Sequence, residues 1–220
     1  AIPLKKRETP AAVYTGGHLM MDGPSPFCHL AIGLESAPWG QAALAPMAIL
    51  QTLLGAANAA PSSIGGGSLA RLSTQVVRQS PYVESCAAFN TSYSDSGLFG
   101  VYGVSVPERA GDMATSMMKA LTGLTSISTD ELAAAKTVLK GKMLRQVDDD
   151  AVMMQDVGQQ LLFGGGYGSP TDFAKLIDAV TADQLADTVQ TLLSSKPTVV
   201  AFGDTHAVPH YGAVEARLKA

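Results

Sequence analysis

The sequence predicts an α+β fold, a two-layer sandwich in which helices cover one mixed, mostly antiparallel sheet. Three observations predict it. Strand-like runs come early and include a hairpin around Ser94-Asp95-Ser96-Gly97; a long helical stretch follows; one apolar strand-like run, Thr198 to Phe202, closes the series. The elements do not alternate strand and helix, so a parallel doubly wound sheet is not expected.

Residues 1–10 read as an irregular arm closed by Pro10, and residues 11–220 as a single domain. A strand is expected from Ala11 to Met21, ended by the turn cluster Asp22-Gly23-Pro24-Ser25-Pro26. Phe27 to Glu35 is the second strand. Its alternation puts Cys28, Leu30, Ile32 and Leu34 on a core face and His29 on the more open one. A helix follows from about Gln41 to Leu54, and Pro46 fits it only within the first turn. Gly55 to Gly67 has no periodicity and reads as a loop, and Ser68 to Gln79 as a short helix stopped by Ser80-Pro81.

The hairpin strands span Glu84 to Val106, and the second is apolar on both faces, as in a central strand covered on two sides. Pro107 opens a helix that ends near Gly123. Ser128 and Glu131 form a capping box for a long helix to about Gln146. A further helix runs from Ala151 to Phe163 and stops at Gly164-Gly165-Gly166; Thr171 and Thr181 each cap another, the second supported by Gln184. The acidic run Asp148-Asp149-Asp150 reads as a solvated turn whose carboxylates complement the next helix dipole.

Hydrophobic residues make up 46% of the chain and charged residues 15%, which excludes a disordered chain and hints that a partner covers part of the surface. The formal net charge of −4 and the scattered basic residues predict no nucleic-acid partner; Lys5-Lys6-Arg7 reads as a solvated arm. Apolar runs end well short of the ~20 residues that cross a bilayer, so any membrane association is expected to be peripheral. With no initiator methionine and no leader pattern, the chain is expected to be a mature form.

No chemistry-bearing constellation emerges. Cys28 and Cys86 make neither a disulfide framework nor a metal motif and read as buried thiols. His206 and His210 are four apart, but Pro209 lies between them and no glutamate takes the zincin position; they read as solvated. His18 and His29 lack ligand patterns, and no nucleophile elbow is present. No metal, cofactor or catalytic residue is therefore expected. Gly65-Gly66-Gly67-Ser68 precedes a helix and could meet an anion or an extended peptide, although it lacks a phosphate-loop ending.

The run Ala88-Phe89-Asn90-Thr91-Ser92-Tyr93-Ser94-Asp95-Ser96-Gly97-Leu98-Phe99-Gly100 resembles the hairpin in the C-terminal half of a family of paired proteins. These are the mitochondrial processing peptidase alpha subunit and core protein 2 of ubiquinol–cytochrome c reductase, within the pitrilysin-type metallopeptidases. Tyr14-Thr15-Gly16-Gly17, Leu50-Gln51-Thr52-Leu53-Leu54-Gly55, Ser68-Leu69-Ala70-Arg71-Leu72 and Asp178-Ala179-Val180-Thr181-Ala182-Asp183 extend the likeness in order along the chain.

The resemblance implies a C-terminal-type domain without the H-x-x-E-H zinc motif that active members carry in their N-terminal domain. It implies a non-catalytic core subunit of respiratory complex III on the matrix side of the mitochondrial inner membrane. Its implied partners are a companion N-terminal half (the other part of a split subunit), core protein 1 or a beta-type subunit, and other complex III subunits. The alternative it implies is a presequence-binding alpha-type component of the processing peptidase. By the same resemblance, Gly65, Gly66 and Gly67 are the candidate substrate-binding residues. They are the remnant of a glycine-rich loop whose other glycines are here mostly replaced by Ala, Ser and Pro, which restricts the backbone and favours the core-protein role.

Overall fold

The computed structural model describes residues 10–39, 44–58, 70–146, 148–164 and 166–219. Six strands form one sheet: β1 (Gly17–Asp22), β2 (Cys28–Ser36), β3 (Ala56–Asn58), β4 (Val83–Ser92), β5 (Gly97–Ser105) and β6 (Thr198–Gly203), in the order β1-β6-β2-β5-β4-β3. Only β1 and β6 pair in parallel; every other pair is antiparallel. The helices are α1 (Leu44–Leu54), α2 (Ala110–Thr122), α3 (Thr129–Gln146), α4 (Asp150–Gln159), α5 (Pro170–Ala179), α6 (Ala182–Ser194) and α7 (Tyr211–Leu218). The predicted mixed α+β sandwich is thus observed. The last strand to be synthesised sits inside the sheet, so closing the fold depends on a contact between the chain's two ends.

Strand alternation decides where the core lies. Cys28, Leu30, Ile32 and Leu34 of β2 are buried, as their spacing predicts, together with Phe99 and Val101 of β5 and Val199 and Ala201 of β6. Against them pack Ile49 and Leu50 of α1, Met113 and Met117 of α2, and Leu185, Val189 and Leu192 of α6 in one apolar cluster. The stripe on α6 follows the 3–4 residue spacing of a helix face.

Local signals hold where the residues that make them are neighbours. Glu131 N–H donates to Ser128 Oγ at 3.2 Å and Ser128 N–H to Glu131 Oε2 at 3.0 Å, which closes the capping box of α3. Thr181 and Gln184 close a second box on α6. Pro46 falls in the first turn of α1, and Gly55, with φ +69°, ends that helix by donating its N–H to Gln51 O at 2.8 Å.

Several expectations are corrected. The first strand begins at Gly17, not Ala11, because Gly16 and Gly17 have φ +65° and +139° and break the extended run. Residues 10–16 are instead held by side-chain contacts: Ala12 N–H donates to Asp95 Oδ2 at 2.8 Å, and the Tyr14 and Thr198 hydroxyls lie 2.6 Å apart. The stretch expected as loop from Gly55 contains the edge strand β3, where backbone pairing with β4 outweighs small-residue composition. Ser169, not Thr171, caps α5; Pro170 at the next position has the fixed φ that a first helical turn accepts. The short helix after residue 69 is π-helical over Leu72–Val77, and the chain ends in a helix, α7, that was not expected. β5 is central, as expected, but among the described residues the helices cover one of its faces only.

Candidate interaction surfaces

The residues singled out for binding, Gly65, Gly66 and Gly67, lie outside the described residues, as does most of the N-terminal arm. The described chain resumes at Ala70. Ala70 and Arg71 follow the glycine segment in sequence, and Arg71 is a buried cation with four hydrogen bonds. Its Nη1 donates to Gly123 O at 2.6 Å, its Nη2 to Ser126 O at 2.7 Å, and Nε and Nη2 form a two-pronged pair with Glu131 at 3.1 and 3.0 Å. The planar guanidinium suits this fork, which ties the chain after residue 69 to the end of α2 and the start of α3. Hydrogen bonding from Arg71, then from Ser128, holds the Glu131 carboxyl below the usual range.

A groove of about 590 Å³ opens beside this knot between α1 and α3. Its walls are small and apolar (Ala48, Ala56, Ala134, Ala135), with Asp130 and Lys142 at the rim. It offers shape and little chemistry.

The larger feature is the sheet face turned away from the helices. Register places Leu19, Val200, Ala31, Tyr102 and Ala87 side by side across five strands, with Met21, Phe202, His29 and Val104 in the next row. Leu19, Met21, Val200, Phe202 and Tyr102 remain exposed. An antiparallel sheet with one free face normally makes that face polar; here it is apolar, as in a surface meant to be covered. His29 stands in the middle of it, Nδ1 2.6 Å from the Tyr102 hydroxyl and its ring 6.1 Å from Phe202. Sequence reasoning placed His29 on the open face but missed the surface as a whole. Its signal was β6, where Val199 to Phe202 is apolar at consecutive positions, too many for one buried face.

The remaining candidates stay apart. His18 stacks on Tyr211 with centroids 5.5 Å apart, while His206 and His210 are exposed on either side of buried Val208. Cys28 and Cys86 are buried thiols; burial raises both, Cys86 to about 12, far from a reactive thiolate. Among the described residues no three His, Cys, Asp or Glu side chains converge, and no helix is long and apolar enough to cross a membrane.

This architecture has relatives. Residues 1–139, well over half the chain, match the family described as the peptidase M16 inactive domain. The chain belongs to that family. Within the peptidase M16 group, it is 31% identical over 219 residues to the mitochondrial-processing peptidase subunit alpha of Solanum tuberosum, covering 96% of this chain and 43% of the relative. Against the cytochrome b-c1 complex subunit 2 of Rattus norvegicus it is 32% identical over 200 residues, covering 90% and 44%. A chain in the solved structure of complex III2 from Candida albicans shares the fold, with a TM-score of 0.84 at 19% identity over 93% of this chain and 49% of that one. The resemblance read from the hairpin and the short motifs is therefore borne out. The M16 chain described here spans less than half the length of these curated relatives.

Proposed function

We propose that this chain is a non-catalytic core subunit of mitochondrial respiratory complex III, acting as scaffold through the surfaces it buries. The observation that carries the reading is the apolar sheet face, where Leu19, Met21, Val200, Phe202 and Tyr102 are exposed although a helix layer covers the opposite side. Contiguous exposed apolar surface of this kind marks a site of interaction, and a covering protein fits it. Similarity to cytochrome b-c1 complex subunit 2 supports the assembly, and the inactive-domain description of the matched family supports a role without chemistry.

In this reading residues 11–220 form one C-terminal-type domain behind a short arm. A companion N-terminal half completes the subunit, and core protein 1 or a beta-type subunit sits beside it. The assembly stands on the matrix side of the inner membrane, with this chain peripheral to the bilayer. A second reading, a presequence-binding alpha-type component of the processing peptidase, draws on the potato alpha-subunit likeness and on the groove lined by Ala56 and Ala70 among others. Gly65, Gly66 and Gly67 would take part in it.

Native gel electrophoresis of the assembly with haem staining tests the first reading. The chain is expected to co-migrate with the cytochromes, and Val200→Asp with Phe202→Asp is expected to release it while the isolated variant keeps its circular dichroism. A wild-type chain that migrates apart from haem overturns the scaffold role. Loss of presequence cleavage on replacing Gly65 to Gly67 by bulky residues, with the assembly intact, would establish the second reading instead.

A further inference from the structure

Helix α4 differs from the other helices in having no buried residue at all. It has ten residues, from Asp150 to Gln159, and continues into a π-helical turn, Gln160–Gly164. Isolated helices shorter than about 12–15 residues are marginal in water, and most helices in proteins are held by packing of an apolar face. Such a face is present. Met154, Val157 and Leu161 recur at helical spacing with Met153 beside them, and Met154 is 75% and Leu162 82% exposed. Among the described residues none buries that stripe, and Val157 alone of it is half-buried.

The charge along this part of the sequence is one-sided. Between Arg145 and Lys175 the sequence has five aspartates (Asp148, Asp149, Asp150, Asp156 and Asp172) and no Lys, Arg or His, in a chain whose total formal charge is only −4. Asp149 caps the helix by accepting from Ala151 and Val152 N–H, and Asp156 accepts from Gln160. Of the five, Asp172 alone makes an ion pair, with Lys175, among the described residues.

We infer that α4 and its π-helical turn dock a helix of a neighbouring protein subunit that carries an apolar stripe flanked by lysines or arginines. Methionine thioethers on unbranched chains conform to differently shaped apolar side chains, and the aspartates select basic flanks. A membrane surface is the wrong occupant, because an acidic helix is repelled by anionic lipid. The inference stands on α4, its π-helical turn and the aspartates near them in sequence, and does not depend on the scaffold reading.

The test uses the full chain and a fluorescent designed helix of about 18 residues, five turns, with a leucine stripe and lysine flanks. Anisotropy should show saturable binding that weakens as salt rises from ~0.05 to ~0.5 M. Met154→Asp and Leu162→Asp should each weaken it about tenfold, a loss of about 1.4 kcal/mol, while Met154→Leu retains it. A peptide with glutamate flanks should bind far more weakly. Far-UV circular dichroism keeps loss of binding distinct from loss of fold. No saturable binding to the lysine-flanked helix, equal binding of the glutamate-flanked one, indifference to Met154→Asp, or capture by anionic vesicles would each overturn the inference.

Discussion

Helices α2 and α4 both carry methionines beside small residues, yet they end in opposite environments. In α2, Met113, Met117 and Met118 are buried; in α4, Met153 and Met154 face outward. The difference lies in what each helix can rest on. α2 lies over Gly103 of β5, where a Cβ would come within 2.9 Å of Met113 Sδ and 3.0 Å of Met117 Sδ. The missing side chain in the strand is the socket for the thioethers. α4 meets no such socket among the described residues, and aspartates flank it in sequence. Helical periodicity states that a face will be buried; it does not state whether the covering surface belongs to the same chain.

The comparison breaks most visibly at α2. Met117→Ala removes a fully buried side chain and leaves a cavity over Gly103, so a loss of about 3 kcal/mol is expected, read as a lower denaturation midpoint at unchanged slope. A loss below about 0.5 kcal/mol would mean that the α2 layer is not packed as described.

Arg71→Met comes next, at about 2 kcal/mol, because Gly123 O, Ser126 O and the Glu131 carboxylate all lose a donor. It has a pH signature. The Glu131 carboxyl is held below its ordinary value in the folded chain, so its contribution is fully present above that ordinary value and fades as pH falls through the folded value. Acid titration of stability should therefore be shallower in Arg71→Met than in the parent chain. Thr181→Ala opens the α6 capping box and should cost about 1 kcal/mol in the same denaturation measurement.

These positions also show which parts of the molecule were legible in the sequence. Both capping boxes and the placement of Pro46 were readable because the interacting groups lie within one helical turn. The core face of β2 was readable because period two is a local property. The true start of β1 was not, since it rests on Gly16 fitting against Lys196 and Pro197, nearly the whole chain away. α7 escaped because Val214 and Leu218 are its only buried residues, too few for a periodic signal after Pro209. The exposed apolar sheet face was harder still. Apolar residues at consecutive positions of β6 show that both faces are apolar, but only the assembled sheet shows which one is left uncovered.

The smallest effect is expected at Met154, and it is the one that keeps the comparison sharp. Met154→Ala removes the same atoms as Met117→Ala, yet Met154 is exposed where Met117 is fully buried, so little packing among the described residues is lost. Alanine is also the better helix former, so the free chain should hold its denaturation midpoint to within about 0.5 kcal/mol or gain slightly. A loss of more than about 1 kcal/mol would place the thioether inside the chain's own packing and make α4 an ordinary core helix. A midpoint that stays still in isolation but falls once the chain is in its native assembly would separate the two helices as intended: α2 built to close this chain, α4 to be closed by another.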